Sequence, residues 1–145
     1  MARYVEKISA VSTGMMTKAT SKQHVLSIDE PPQMGGQDQG PNPLGTLLSA
    51  LAGCENVIAN MVAKEIGFDL QGIEFDIEGE LDLRGLKGEP NVRPYFQKVI
   101  VNAKVKTSEP EERIRQLQEI TDSRCPVFTM MKAAGVEMVV NWTKA

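Results

Sequence analysis

The sequence predicts an α+β fold, and three patterns carry the prediction. A long apolar stretch of helical periodicity opens at Asn42-Pro43, two period-two runs cover residues 70–86 and 95–107, and a second helical pattern follows from residue 108. With 145 residues, 41% hydrophobic and 24% charged, the chain has the size of a single domain, residues 1–145, and a composition ordinary for globular proteins.

At the N-terminus Tyr4, Val5, Ile8, Ala10 and Val11 alternate partially up to Gly14, and Val25, Leu26 and Ile28 alternate within residues 22–29. Together they predict a hairpin. Residues 30–43 hold four prolines and three glycines and predict a long loop, which in a small domain is often functional. Asn42 can cap free N–H groups and Pro43 suits the first helical position, so a helix is expected from there to about Gly67. Its stripe of Leu47, Ala50, Leu51, Cys54, Ile58 and Met61 faces inward, and the near absence of charge before Glu55 marks it as the central helix. Residues 70–86 alternate apolar and acidic, the pattern of a strand half in water, and residues 95–107 offer a partner whose Lys98, Lys104 and Lys106 complement those acids. Ser108-Glu109-Pro110-Glu111 reads as a capping box before a helix ending near Ser123, with Ile114, Leu117 and Ile120 inside. Cys125-Pro126 restarts a short helix to about Ala134, and residues 136–143 form a last strand.

The net charge of -3 and the lack of clustered Lys and Arg exclude nucleic acid as a partner. Charges in the first residues rule out a secretory signal, and no apolar run is expected to reach the roughly 18 residues of a membrane span, so a cytoplasmic protein with no membrane partner is expected. Two cysteines in a reducing compartment are core thiols, a redox pair or ligands. One His and two Cys without CxxC or HxxxH spacing make no metal site, and no cofactor is implied.

Cys125, directly before Pro126, stands where a helix N-cap would favour its thiolate, with Arg124 adding charge; otherwise the Cys-Pro pair marks only a turn. Cys54 lies on the apolar stripe, where burial would keep a thiol inert. Glu55 is a solvated or inter-helix carboxylate, or a catalytic one. His24 reads as a surface or hydrogen-bonded residue, and Phe128 and Trp142 as packing. Met130, Met131 and Met138, with Met15 and Met16, either fill the core or line an adaptable apolar cavity.

Asp29-Glu30-Pro31, the run from Gly35 to Leu44 with Gly-Pro-Asn-Pro, the run from Leu47 to Cys54 ending in Ala-Gly-Cys, and the later Cys125-Pro126 together resemble the OsmC/Ohr family. The resemblance spans most of the chain. It implies antiparallel strands wrapping two central helices in an intertwined homodimer with active sites at the subunit interface. It further implies thiol-dependent reduction of organic hydroperoxides. Cys54 would attack the peroxide and become a sulfenic acid, Cys125 would resolve it into a disulfide, and an external dithiol would reduce that. The family's peroxidases pair an Arg from the hairpin with a Glu shortly after the Asn-Pro. Here Leu44 follows Pro43 and the hairpin offers Met15, Met16 and Lys18, so the chain resembles a divergent branch in which Glu55 and Lys18, Lys22, Arg93 or Arg124 are the available substitutes. The competing reading is a non-catalytic dimeric binding protein for a small hydrophobic ligand, its cysteines lining the pocket or sensing redox state.

Overall fold

The computed structural model describes residues 2–145, and the chain forms two compact units, Met1–Leu47 and Leu48–Ala145. The first carries a three-stranded antiparallel meander of β1 (Ser9–Thr13), β2 (Met16–Ser21) and β3 (His24–Ile28). The expected hairpin is therefore a pair of hairpins. Met16-Thr-Lys-Ala-Thr-Ser shows no apolar alternation and was legible only as a turn; pairing on both sides, Thr17 with Ser12 and with Ile28, makes it a strand. Gly14 and Lys22 take the positive φ that the two tight turns demand.

Residues 30–42 are organised by one buried carboxylate. Asp29 accepts the N–H groups of Glu30, Gln37 and Gln39 at 2.8, 3.2 and 3.1 Å, and these bonds hold its carboxyl below the ordinary value. Gly36 passes so close to the Glu30 carbonyl that no Cβ fits. A 3-10 turn, Pro32–Met34, fills the rest.

Helix α1, Pro43–Ile66, begins as its sequence predicts, with Asn42 Oδ1 accepting the Gly45 N–H at 2.7 Å. Its buried face is Leu51, Glu55, Ala59, Val62 and Ala63, rotated from the expected stripe. Leu47 and Met61 are exposed, and Glu55 occupies the seam. Among the described residues α1 is the one helix long and apolar enough to cross a membrane by length and composition, which corrects the expectation that no apolar run approaches that length. Those same residues pack into both core clusters of the second unit.

That unit is built on β4 (Gly72–Glu80), β5 (Lys98–Lys106) and β6 (Glu137–Lys144), in the order β4-β5-β6. β4 and β5 are antiparallel, with Glu74 opposite Lys104 and Glu80 opposite Lys98, the charge pairs their alternation predicts. β6 runs parallel to β5, a geometry no tight turn can close. The crossover is made by α3 (Glu111–Arg124) and α4 (Pro126–Ala133). The first acidic strand stops at Glu80; Asp82 caps a short helix, α2 (Leu83–Leu86), by accepting the Arg84 N–H. The predicted capping box does not form. Ser108 Oγ donates to Asp69 at 2.6 Å and Glu109 accepts the Asp69 N–H at 3.0 Å, so both polar groups tie the strand ends together instead. Val99, Val101, Ala103 and Val105 give β5 a continuous buried face against α1 and α3. Trp142 packs edge-on to Phe75 at 6.0 Å.

Candidate functional site

The end of α3 and the start of α4 are separated by one residue, Cys125, which leaves helical geometry (φ -72, ψ 117) because Pro126 forbids a helical predecessor. Its side chain is fully buried and its Sγ accepts the Phe128 N–H at 3.4 Å. It is the N-cap that spacing predicts. Across from it, in the middle of α1, Cys54 is half-buried. The thiol of Cys125 donates to Cys54 Sγ at 2.8 Å. Two cysteines 71 positions apart in sequence thus stand within a small movement of a disulfide, whose S–S bond is about 2.05 Å.

The expected electrostatics are reversed at Cys125. Burial pushes its thiol up, its bond to Cys54 adds to the rise, and the Phe128 N–H offsets only part of it. A single N-cap hydrogen bond cannot compensate a sulfur sealed among Leu51, Val101 and Phe128. Nor does Arg124 lend charge: its guanidinium is engaged by Glu65 at 2.6 Å. Arg93 lies over the Tyr95 ring and donates to the Gly135 carbonyl. Lys18 and Lys22 belong to the first unit, Lys22 acting on Glu6. Of the substitutes that lie in the second unit, Glu55 is the one brought to the thiols.

Glu55 is fully buried, and neither carboxyl oxygen has a partner. Its pKa is pushed up to about 9, first by burial and then by the Asp122 carboxyl of α3, while Cys125 pulls the other way. Asp122 is also raised, by burial, against the opposing influence of Glu55, Gln118 and Lys132. Gln118 Nε2 donates to Asp122 Oδ2 at 3.2 Å, whereas Oδ1 has no partner. Two carboxylates at this spot would both be acceptors. Both carboxyls are raised, which favours a state in which the pair keeps a proton and the repulsion between two charged groups is avoided. Asp122 escaped sequence reasoning because its place on α3 resembles any solvated helix position; only the folded chain brings it to Glu55.

The remaining candidates disperse. His24 is exposed at the start of β3. In the second unit Met131 is buried, Met138 packs against the same core cluster and Met130 is exposed, while in the first unit Met15 and Met16 line a hollow beside Asp29. Phe128 is core. Among the described residues no three His, Cys, Asp or Glu side chains converge to hold a metal ion.

A family model described as OsmC-like protein matches residues 36–141, most of the chain and both cysteines. The chain belongs to the OsmC-like protein family. No curated protein sequence matches it significantly. Solved structures do. An OsmC-like protein from Mycoplasma pneumoniae superposes with a TM-score of 0.83 at 20% identity, covering 99% of this chain and 100% of that one. An organic hydroperoxide resistance protein OsmC from Legionella pneumophila gives 0.74 at 18% identity, with 100% of both chains covered. Another organic hydroperoxide resistance protein, from Elizabethkingia anophelis, gives 0.74 at 16% identity over 99% of this chain and 100% of that one. At these identities the likeness establishes the OsmC-like fold shared by the three proteins and this chain.

Proposed function

We propose that this OsmC-like protein is a thiol-dependent reductase of organic hydroperoxides acting through Cys54 and Cys125. The observation that carries the reading is the contact of the two sulfurs at 2.8 Å, one half-buried and one sealed in the core. Cys54, the more accessible, attacks the terminal oxygen of the hydroperoxide: an S–O bond forms, the O–O bond breaks, and the leaving alkoxide takes up the thiol's proton to depart as an alcohol. Cys54 is then a sulfenic acid. Cys125 attacks that sulfur, the S–O bond breaks, water leaves, and a disulfide remains. An external dithiol restores both thiols by exchange.

The names of the Legionella and Elizabethkingia proteins support an organic hydroperoxide as the substrate class. A cytoplasmic setting, which keeps such thiols reduced between turnovers, belongs to the same reading. So do a single OsmC-like domain over residues 1–145 and a homodimer, the latter supported by a first unit in which Asp29 alone is fully buried among the described residues.

The test adds cumene hydroperoxide or hydrogen peroxide to fully reduced protein and follows thiol loss and intact mass for wild type, Cys54→Ser and Cys125→Ser. Wild type should lose two protons' mass rapidly, Cys125→Ser should accumulate a sulfenic acid, and Cys54→Ser should stay reduced. Both thiols remaining reduced under excess peroxide would sink the peroxidase reading.

A further inference from the structure

The disulfide-forming step leaves one chemical need unmet. Cys125 must surrender its S–H proton to become a nucleophile, yet it is fully buried, and among the described residues the groups that act on its sulfur are Cys54, the Phe128 N–H and Glu55. What stands beside it is Glu55, also fully buried, with both oxygens unpartnered. Beyond Glu55 stands Asp122, whose Oδ1 is unpartnered too. Unlike Glu55, Asp122 lines a cavity of about 390 Å³ bounded by α3, α4 and β6. Water in that cavity can reach Asp122 but not Glu55.

We propose that Glu55 and Asp122 form a proton path from this cavity to Cys125 Sγ, and that the path accepts the proton Cys125 loses as it closes the disulfide. The inference rests on the redox reading of the two thiols and deepens it. The thiol hydrogen of Cys125, now directed at Cys54 Sγ, turns to a Glu55 oxygen once Cys54 carries a leaving group. As Sγ attacks, its proton moves to that oxygen while the proton on the other Glu55 oxygen passes to Asp122. The pair, which held one proton, now holds two. The S–S bond forms, the S–O bond of the sulfenic acid breaks, and the departing hydroxide takes a proton from solvent at the half-buried Cys54 to leave as water. Asp122 then releases the extra proton through the cavity, so the sum is sulfenic acid plus thiol giving disulfide plus water.

The charged and titratable groups around the pair set its pH behaviour. Cys54 neighbours Glu55 on α1; Gln118 binds Asp122 on α3; Cys125 lies at the α3–α4 junction; Lys132 of α4 favours the charged form of Asp122. Glu119 of α3 also lines the cavity, whereas Val136, just before β6, and Met138 and Val140 of β6 bring no charge to its wall. With one proton on the pair a base is available, and with two it is not. Closure in the wild type should therefore be nearly independent of pH near neutrality and fall in acid as the second proton binds.

The experiment needs no peroxide. Ellman's reagent on reduced protein releases one thionitrobenzoate as it caps Cys54 and a second as Cys125 displaces the cap, so the two phases separate attack from closure. Cys125→Ser identifies the first phase. Circular dichroism and the denaturation midpoint report whether Glu55→Gln and Asp122→Asn are folded, and the first phase gives each variant its own reference for reagent attack. The second phase should slow by about tenfold or more at neutral pH and become steeply pH-dependent, rising close to tenfold per pH unit because hydroxide is then the base. Glu55→Asp should restore part of the wild-type profile. A second phase of wild-type rate and pH slope in both variants would overturn the path. If the slowed, pH-steep closure is found in a protein that cumene hydroperoxide leaves untouched, the proton path stands and the peroxidase reading falls.

Discussion

Glu55 shows how strongly a single side chain responds to its placement. The residue after a helical cysteine points about 100° away from it, so sequence supplies no reason for Glu55 to meet a thiol. The fold turns it inward between α1 and α3, where it keeps its proton well above the ordinary carboxylate range, to about 9. Stability inherits this. Between the unfolded value and about 9 the native state holds a proton the unfolded chain has released, so stability falls as pH rises, by at most about 1.4 kcal/mol per unit. Denaturant melts at about pH 6 and about pH 8.5 should show the wild type weakening and Glu55→Gln weakening less, so that the variant gains on the wild type with pH. Parallel pH curves would mean that Glu55 ionises normally. Asp29 behaves oppositely: its depressed carboxyl stabilises the 30–42 loop above the unfolded pKa and that contribution disappears as pH falls through the folded value.

Among the elements, those with a sharp local signal were legible. The Asn42-Pro43 start of α1, the alternation of β4 and β5, and the Cys125-Pro126 break all form where the sequence places them, because caps, prolines and period-two burial act within a few residues. β2, α2 and the failed capping box were not, since each depends on a partner distant in sequence: two flanking strands, the β4 exit, and Asp69. Helix α3 has a weakly apolar sequence and depends on a few inward residues, of which Ile114 and Leu117 are fully buried. Leu117→Ala should destabilise the protein by about 2–4 kcal/mol, read as a lowered denaturation midpoint with an unchanged m-value. A loss under about 1 kcal/mol would show that the α1–α3 core relaxes around the cavity.

For the molecule as a whole, the first unit raises a question of stability. A three-stranded sheet needs an apolar face on a partner layer, yet Val11, Val25 and Leu26 on its strands are exposed. A second copy covering these strands is the arrangement we propose, and multi-angle light scattering should then give about twice the chain mass of 15.9 kDa. Introducing charge at Val11→Lys and Val25→Lys together should shift that mass toward the monomer; a wild type that is already monomeric would count against the dimer. The sequence by itself determined the element types of the central helix and of the β4–β5 pair, and through its Gly-Pro-Asn-Pro and paired-cysteine pattern it determined the family. These are set by periodicity, capping and short motifs, all local. The same resemblance implied that Cys54 and Cys125 pair; only the tertiary structure decided that Cys125 is sealed rather than activated by its N-cap position, and that Glu55 faces Asp122. Proximity and desolvation arise from groups far apart along the chain, and no local pattern encodes them.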